Sequence, residues 1–196
     1  MTRSSQAARP VDGRSQRSLR SRQQIVTALI ELVREGDLLP TADQVASRAG
    51  VGLRTVFRHF QDMESLYAEM HERVRSSMLD SFDDSSIEGS LAERIRGGVR
   101  ARATVFEWIA PFKRSEVVQR WNSRFLKAKN DEIVRELRAS LKRTLPETDA
   151  CGAPIRRAVE LLTSFEAWER LRTHQGLGPE QARETIETAL LELLER

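Results

Sequence analysis

The sequence predicts an all-α chain of about nine helices, a small N-terminal three-helix domain built around a helix-turn-helix followed by a larger helical domain. Three observations carry this. Apolar residues recur at spacings of three and four along almost the whole chain, the period of a helix with one buried stripe. No stretch alternates at period two long enough to make a strand, and no internal repeat is present. Two very short periodic segments flank the turn Gly50-Val51-Gly52, the layout of a helix-turn-helix.

Residues 1–17 are rich in Ser, Arg, Gln and Ala, contain Pro10 and Gly13 and lack any hydrophobic period, so they read as a flexible arm. From Ser18 the period is helical, with Ile25, Ala28, Leu29, Leu32 and Val33 on one stripe and Gly36 as its stop. Thr41 precedes Ala42, Val45, Ala46 and Ala49, and its hydroxyl suits an N-cap, accepting from a free N–H of the helix start. The two short helices are expected at about 42–49 and 53–59. A fourth helix follows Gln61-Asp62 with the stripe Leu66, Tyr67, Met70, Val74 and Met78, broken at Asp83-Asp84-Ser85-Ser86.

A fifth helix carries Leu91, Ile95, Val99, Phe106 and Ile109 and is expected to end at Pro111, since proline removes a backbone donor. Val117, Val118, Trp121 and Phe125, then Ile133, Leu137 and Leu141, lead to a loop over 146–154. Leu161, Phe165, Trp168 and Arg172 step as one helix, and Gly176-Leu177-Gly178-Pro179 ends it and starts the last, with the stripe Ile186, Ala189, Leu190, Leu193 and Leu194. The domains expected are an arm at 1–17, the helix-turn-helix domain at 18–62, and a second helical domain at 63–196.

Composition narrows the class. The chain has 39% hydrophobic and 31% charged residues, and no apolar run approaches the ~18–20 residues of a membrane span. No apolar stretch follows the N-terminal Met1-Thr2-Arg3, so a secretory signal is not expected, and one cysteine, Cys151, fits a reducing cytoplasm. The net charge of +3 is unevenly spread: residues 1–62 hold 10 Arg and 6 acids, +4, leaving −1 for the rest. A basic end on a near-neutral body points to a polyanionic partner at that end.

On a helical wheel of 53–60, Leu53, Val56, Phe57 and Phe60 gather on one side and Arg54, Thr55, Arg58 and His59 on the other. The polar set suits a DNA major groove. Arginine forks onto guanine, threonine meets a base edge or thymine methyl, and histidine reaches phosphate.

The stretch Ile25 to Tyr67 resembles the N-terminal signature of the tetracycline-repressor (TetR) family of transcriptional regulators. Its core is Thr41-Ala-Asp-Gln-Val-Ala-Ser-Arg-Ala-Gly50-Val-Gly-Leu-Arg-Thr55-Val-Phe-Arg-His-Phe60, followed by Asp62-Met-Glu-Ser-Leu66. The resemblance covers about 45 residues; the remainder is similar only in helix layout. It implies that Thr41 caps its helix against a phosphate and that Arg48, Gly52, Leu53, Arg54, Thr55, Phe57, Arg58 and His59 form the DNA-binding surface. Three positions depart from the family pattern: Phe57 replaces a tyrosine, Met63 a common phosphate-binding lysine, and Gly52 a Ser or Thr cap. Arg14, Arg17, Arg20 and Arg22 either enter the minor groove or stay solvated.

The resemblance also implies a homodimer on a palindromic operator, without membrane attachment. The last two helices offer Leu161, Phe165, Trp168, Ile186, Leu190 and Leu193 for a four-helix dimer seam, or for an ordinary core within one chain. Phe106, Trp108, Phe112, Trp121 and Phe125 place five of eleven aromatics within twenty residues, which serves either a pocket for a small apolar or aromatic ligand or plain core packing. The expected function is a repressor released by such a ligand, the alternative being a TetR-shaped interaction protein with weakened DNA binding. Catalysis is not expected. His59, His71 and His174 share no metal spacing, there is no phosphate loop or nucleophile motif, and no cofactor or metal is implied.

Overall fold

The computed structural model describes residues 13–79, 88–120 and 124–195, with side chains over 16–77, 88–118 and 131–195. Among these, nine α-helices and two short helical turns account for all regular structure, with no strand. The chain divides into two compact units, Met1–Met70 and His71–Arg196. Asp83 to Ser86 and Trp121, and the side chains of Met78 and Phe125, lie outside what is described.

In the first unit, α1 (Gly13–Arg34) lies against α2 (Ala42–Ala49) and α3 (Leu53–His59). It starts at Gly13, so residues 13–17, expected in the arm, are helical. The turn upstream of the stripe has no apolar residue to mark it, yet Arg, Ser and Gln extend a nucleated helix at little cost. Ile25, Val26, Ala28, Leu29 and Val33 are buried, each large one worth up to about 1.5–3 kcal/mol. Gly36 closes α1 at φ +101°, with Asp37 N–H donating to the Leu32 carbonyl over 3.1 Å.

The unit runs past the boundary expected at 62 because α4 (Met63–Leu79) buries Leu66, Tyr67 and Met70 in its first two turns. The Tyr67 hydroxyl donates to the Pro40 carbonyl at 3.4 Å, and burial together with Asp37 pushes its pKa up.

The second unit is organised on α5 (Leu91–Arg120), which contacts α6 (Arg124–Thr144), α8 (Phe165–Glu169) and α9 (Pro179–Leu194). α5 continues through Pro111, against expectation. Proline costs a helix interior about 3 kcal/mol, and the burial of Phe106, Ile109, Ala110 and Phe112 around it offsets that loss. Val117 and Val118 therefore end α5 and are exposed.

A 3-10 turn at Pro146–Asp149 leads to α7 (Ala153–Leu162). The single helix expected through 161–172 is broken at Thr163-Ser164. There the Ser164 hydroxyl accepts from the Ala167 N–H at 3.2 Å and starts α8, which runs on into a π-helical turn at Arg170–His174. A serine cap inside an unbroken apolar stripe is the signal that the stripe alone obscures. Cys151 is half-buried and free.

His71 opens the second unit with its Nε2 buried and unpartnered, and Glu116 Oε1 is in the same state. Burial lowers the His71 pKa below 6.5 and Lys113 adds to this, while Glu116 opposes it. The unfolded chain therefore binds the proton more readily than the native one. The stabilisation from neutral His71 is complete above the unfolded pKa of about 6.5 and is lost as pH falls toward the lower native value. Thermal unfolding between pH 7.5 and 5 should show this decline, and His71→Phe should flatten it; an unchanged slope in the variant removes His71 as the cause.

Candidate nucleic-acid interface

α2 is built to start and stop sharply. The Thr41 hydroxyl accepts from the Gln44 N–H at 3.3 Å and Gln44 Oε1 accepts from the Thr41 N–H at 2.7 Å, a reciprocal cap. Gly50 ends the helix at φ +65°, and the Val51 N–H donates back to the Ala46 carbonyl at 3.0 Å. This left-handed position fits glycine and aims α3 away from α2.

α3 presents a different face from the one read on the wheel. Val56 and Phe60 are buried, but Phe57 is 46% and Leu53 38% exposed. His59 is half-buried instead of outward, its Nε2 enclosed without a partner, and burial, then Arg58 and Arg22, lower its pKa. Its Nε2 is therefore not presented on the outward face of α3. The seam with α1 and α2 runs down the Val56 and His59 side of α3. In a helix of two turns, residue type alone does not fix where that seam falls. The outward face is thus Leu53, Arg54, Phe57 and Arg58, with Thr55 half-buried at its edge. Neither Arg54 nor Arg58 meets a carboxylate among the described residues.

Two other arginines named from sequence are occupied. Arg48 donates both terminal nitrogens to Glu35, at 2.7 and 2.6 Å, and lies 3.6 Å from Glu31. Arg22 is engaged inside the first unit. Its guanidinium bonds Glu69 on α4, donates to the His59 carbonyl at 2.6 Å and covers the Phe60 ring at 4.3 Å. One side chain therefore ties α1, the end of α3 and α4 together. Arg17 and Arg20 are exposed on α1, while the side chain of Arg14 lies outside what is described. α4 is capped by Asp62, which accepts from the Ser65 N–H at 2.8 Å. Met63, next to this cap, is the first residue of α4.

Gly52 caps α3 without a side-chain bond, at φ −72° and ψ 148°, and a Cβ there would meet nothing within 4 Å. Gly52→Ser should therefore stabilise the first unit by about 0.5–1 kcal/mol, through a capping bond and a less flexible unfolded chain. Chemical denaturation checks it; no gain in midpoint means the hydroxyl leaves the α3 N–H groups unbonded.

In the second unit a cavity of about 420 Å³ opens between α5, α6 and α7. Phe106 lines it, with Ile109, Leu137, Leu141, Leu161 and Phe165. Trp108 and Phe112 do not, because the cavity faces the α5 stripe 102, 106, 109 and 113; those two rings pair with each other at 5.8 Å. Phe165 meets Phe106 edge-on at 5.7 Å, so it belongs to this wall and not to a dimer seam.

Trp168, Ile186 and Leu190 are likewise buried inside one chain, at 1%, 4% and 0% exposure, and cannot supply a seam. An apolar stripe looks the same whether it faces its own chain or another. Leu161 is 63% exposed and Leu193 half-buried. Sequence reasoning missed Arg102, whose cationic position on the Phe106 stripe was its one signal, and Glu107. The Glu107 carboxylate accepts from Trp168 Nε1 at 2.8 Å and from Arg172 at 2.7 Å; the bond to Arg172 lowers its pKa most.

No protein-family model matches the sequence, and no curated protein does either. Solved structures do match. A TetR-family transcriptional regulator from Streptomyces coelicolor aligns with a TM-score of 0.67 at 19% identity, over 88% of this chain and 79% of that one. A TetR-family regulator from Marinobacter aquaeolei gives 0.59 at 17% identity, over 91% and 97%. The multidrug binding protein EbrR, solved with imidazole, gives 0.62 at 18%, over 96% and 97%. The chain has the TetR fold. Within the TetR fold α2 and α3 are the helix-turn-helix, and the helices from α5 onward are the larger helical domain. The departures at Gly52 and Phe57 fall on the start and the outer face of α3, and the one at Met63 on the first residue of α4.

Proposed function

We propose that the protein is a sequence-specific DNA-binding transcriptional regulator, a repressor that a small molecule releases from its operator. The observation that supports it most is the outward face of α3. Arg54 and Arg58 stand exposed and, among the described residues, without carboxylate partners, on a helix whose position Gly50 and Arg22 fix. Guanidiniums so placed can reach base edges and phosphates in a major groove. Leu53 and Phe57 between them add apolar area that suits thymine methyls.

A seven-residue helix reads only a few base pairs, so the active form is a homodimer on a palindrome. Its seam uses what α8 and α9 leave outside, Leu193 among it. The cavity beside α5 is the ligand site. The likeness to EbrR, a multidrug binding protein, supports a ligand in this domain. Release requires that the ligand discriminate between conformations by up to about 5 kcal/mol.

The test is selection of genomic fragments by the purified protein, followed by anisotropy titrations against salt. A shared palindrome, bound by two chains with a steep salt dependence, supports the reading. Equal affinity for the selected duplex and for random duplex sinks it, and favours an interaction protein of the same shape.

A further inference from the structure

The cavity has a chemical bias that its apolar walls conceal. Arg102, on α5, lines it and is 7% exposed. Its guanidinium donates to the Leu137 carbonyl at 2.9 Å and to the Thr163 carbonyl at 3.3 Å. Both acceptors are neutral, and among the described residues it meets no carboxylate. The remaining N–H groups of a five-donor fork are unspent. Burial with no opposing charge pushes its pKa down to about 10, which still leaves it a cation at neutral pH.

A buried charge without a countercharge is costly, and natural chains pair such groups or use them. Other charges around the cavity are spoken for. Arg138 bonds Glu160 at 3.0 Å and Lys113 bonds Glu116 at 2.9 Å. Arg157 and Glu166 line the cavity as exposed, solvated residues of opposite sign. What remains is one buried positive charge lining a chamber whose apolar wall is Phe106, Ile109, Leu137, Leu141 and Phe165.

We infer that the cavity binds an amphipathic monoanion, a carboxylate with an apolar body, whose charged end pairs with Arg102 while its body lies along the Phe106 and Leu141 wall. This rests on the reading of the cavity as the ligand site and names the class of molecule that fills it. The Arg102 fork accepts a carboxylate in bidentate fashion, and a chamber of about 420 Å³ is the size of a site for one small organic molecule. A neutral ligand would leave the guanidinium desolvated and unpaired, and a cationic one would oppose it.

Isothermal titration of the full chain with octanoate, octan-1-ol and octylamine separates these cases, since the three share one body and differ in charge. Octanoate should bind at least about tenfold more tightly than the alcohol, and octylamine least. Arg102→Gln should abolish the preference for octanoate over octan-1-ol, and Arg102→Lys should restore part of it. Should Arg102→Gln not fold, the charge series on the unaltered protein decides alone. Equal binding of octanoate and octan-1-ol overturns the anion and leaves the cavity as a ligand site. Tightest binding of octylamine also overturns it. Failure of all three to bind overturns the proposal together with the ligand site, and operator binding, measured without ligand, stands apart from every one of these outcomes.

Discussion

Replacing Arg54 and Arg58 together by alanine is expected to weaken operator binding by at least a few hundredfold and to leave folding almost untouched. Both side chains are exposed and bond nothing else among the described residues, so their loss should cost under about 0.5 kcal/mol of stability. A good arginine contact to a base is worth about 1–3 kcal/mol, and a dimer repeats each contact in two half-sites. The salt dependence should flatten as well, because each phosphate that the variant leaves unneutralised keeps its counterion. Arg48→Ala supplies the contrast. Its guanidinium already serves Glu35 and Glu31 on the surface, so its removal should change affinity far less. If the double variant binds its operator unchanged, the groove-facing surface is not α3.

Trp168→Ala is expected to destabilise the second unit by about 3–5 kcal/mol, the range for removing a large aromatic from a packed core. The indole is 1% exposed within a single chain, and its Nε1 donates to Glu107. Truncation leaves a cavity and takes one partner from a carboxylate that also holds Arg172. The loss should be the same at every protein concentration, since the packing around the indole is internal. A variant that unfolds at the usual denaturant midpoint when concentrated, and early only when dilute, would place Trp168 back in a dimer seam.

These two sites mark how far the sequence is legible. Helices α2 and α3 can be read at their observed limits because Thr41, Gly50 and the Gly52-Leu53 step are chemical punctuation, acting through bonds within a few residues. The faces of α3 are less legible. His59 and Phe57 exchange places relative to the wheel, as the packing seam is set by α1 and α2, and Arg22, far off in sequence, holds the His59 carbonyl. Trp168 illustrates the same limit at larger scale, for its stripe is apolar whichever chain it faces. Pro111 shows local chemistry overruled by burial, and Arg102 escapes a reading from sequence because one arginine on a long helix looks like a solvated residue until the opposite wall is known.

The grip of Arg22 on the last carbonyl of α3 makes that helix mechanically lopsided. Its far end is held by a guanidinium shared with Glu69 and Phe60, while its near end starts at an uncapped glycine. Amide exchange along α3 should therefore slow steadily from Leu53 toward Phe60, like a lever clamped at one end. The loose end carries Arg54, and a lineage could swap the residue there and acquire a new operator without disturbing the clamp that keeps the helix in place.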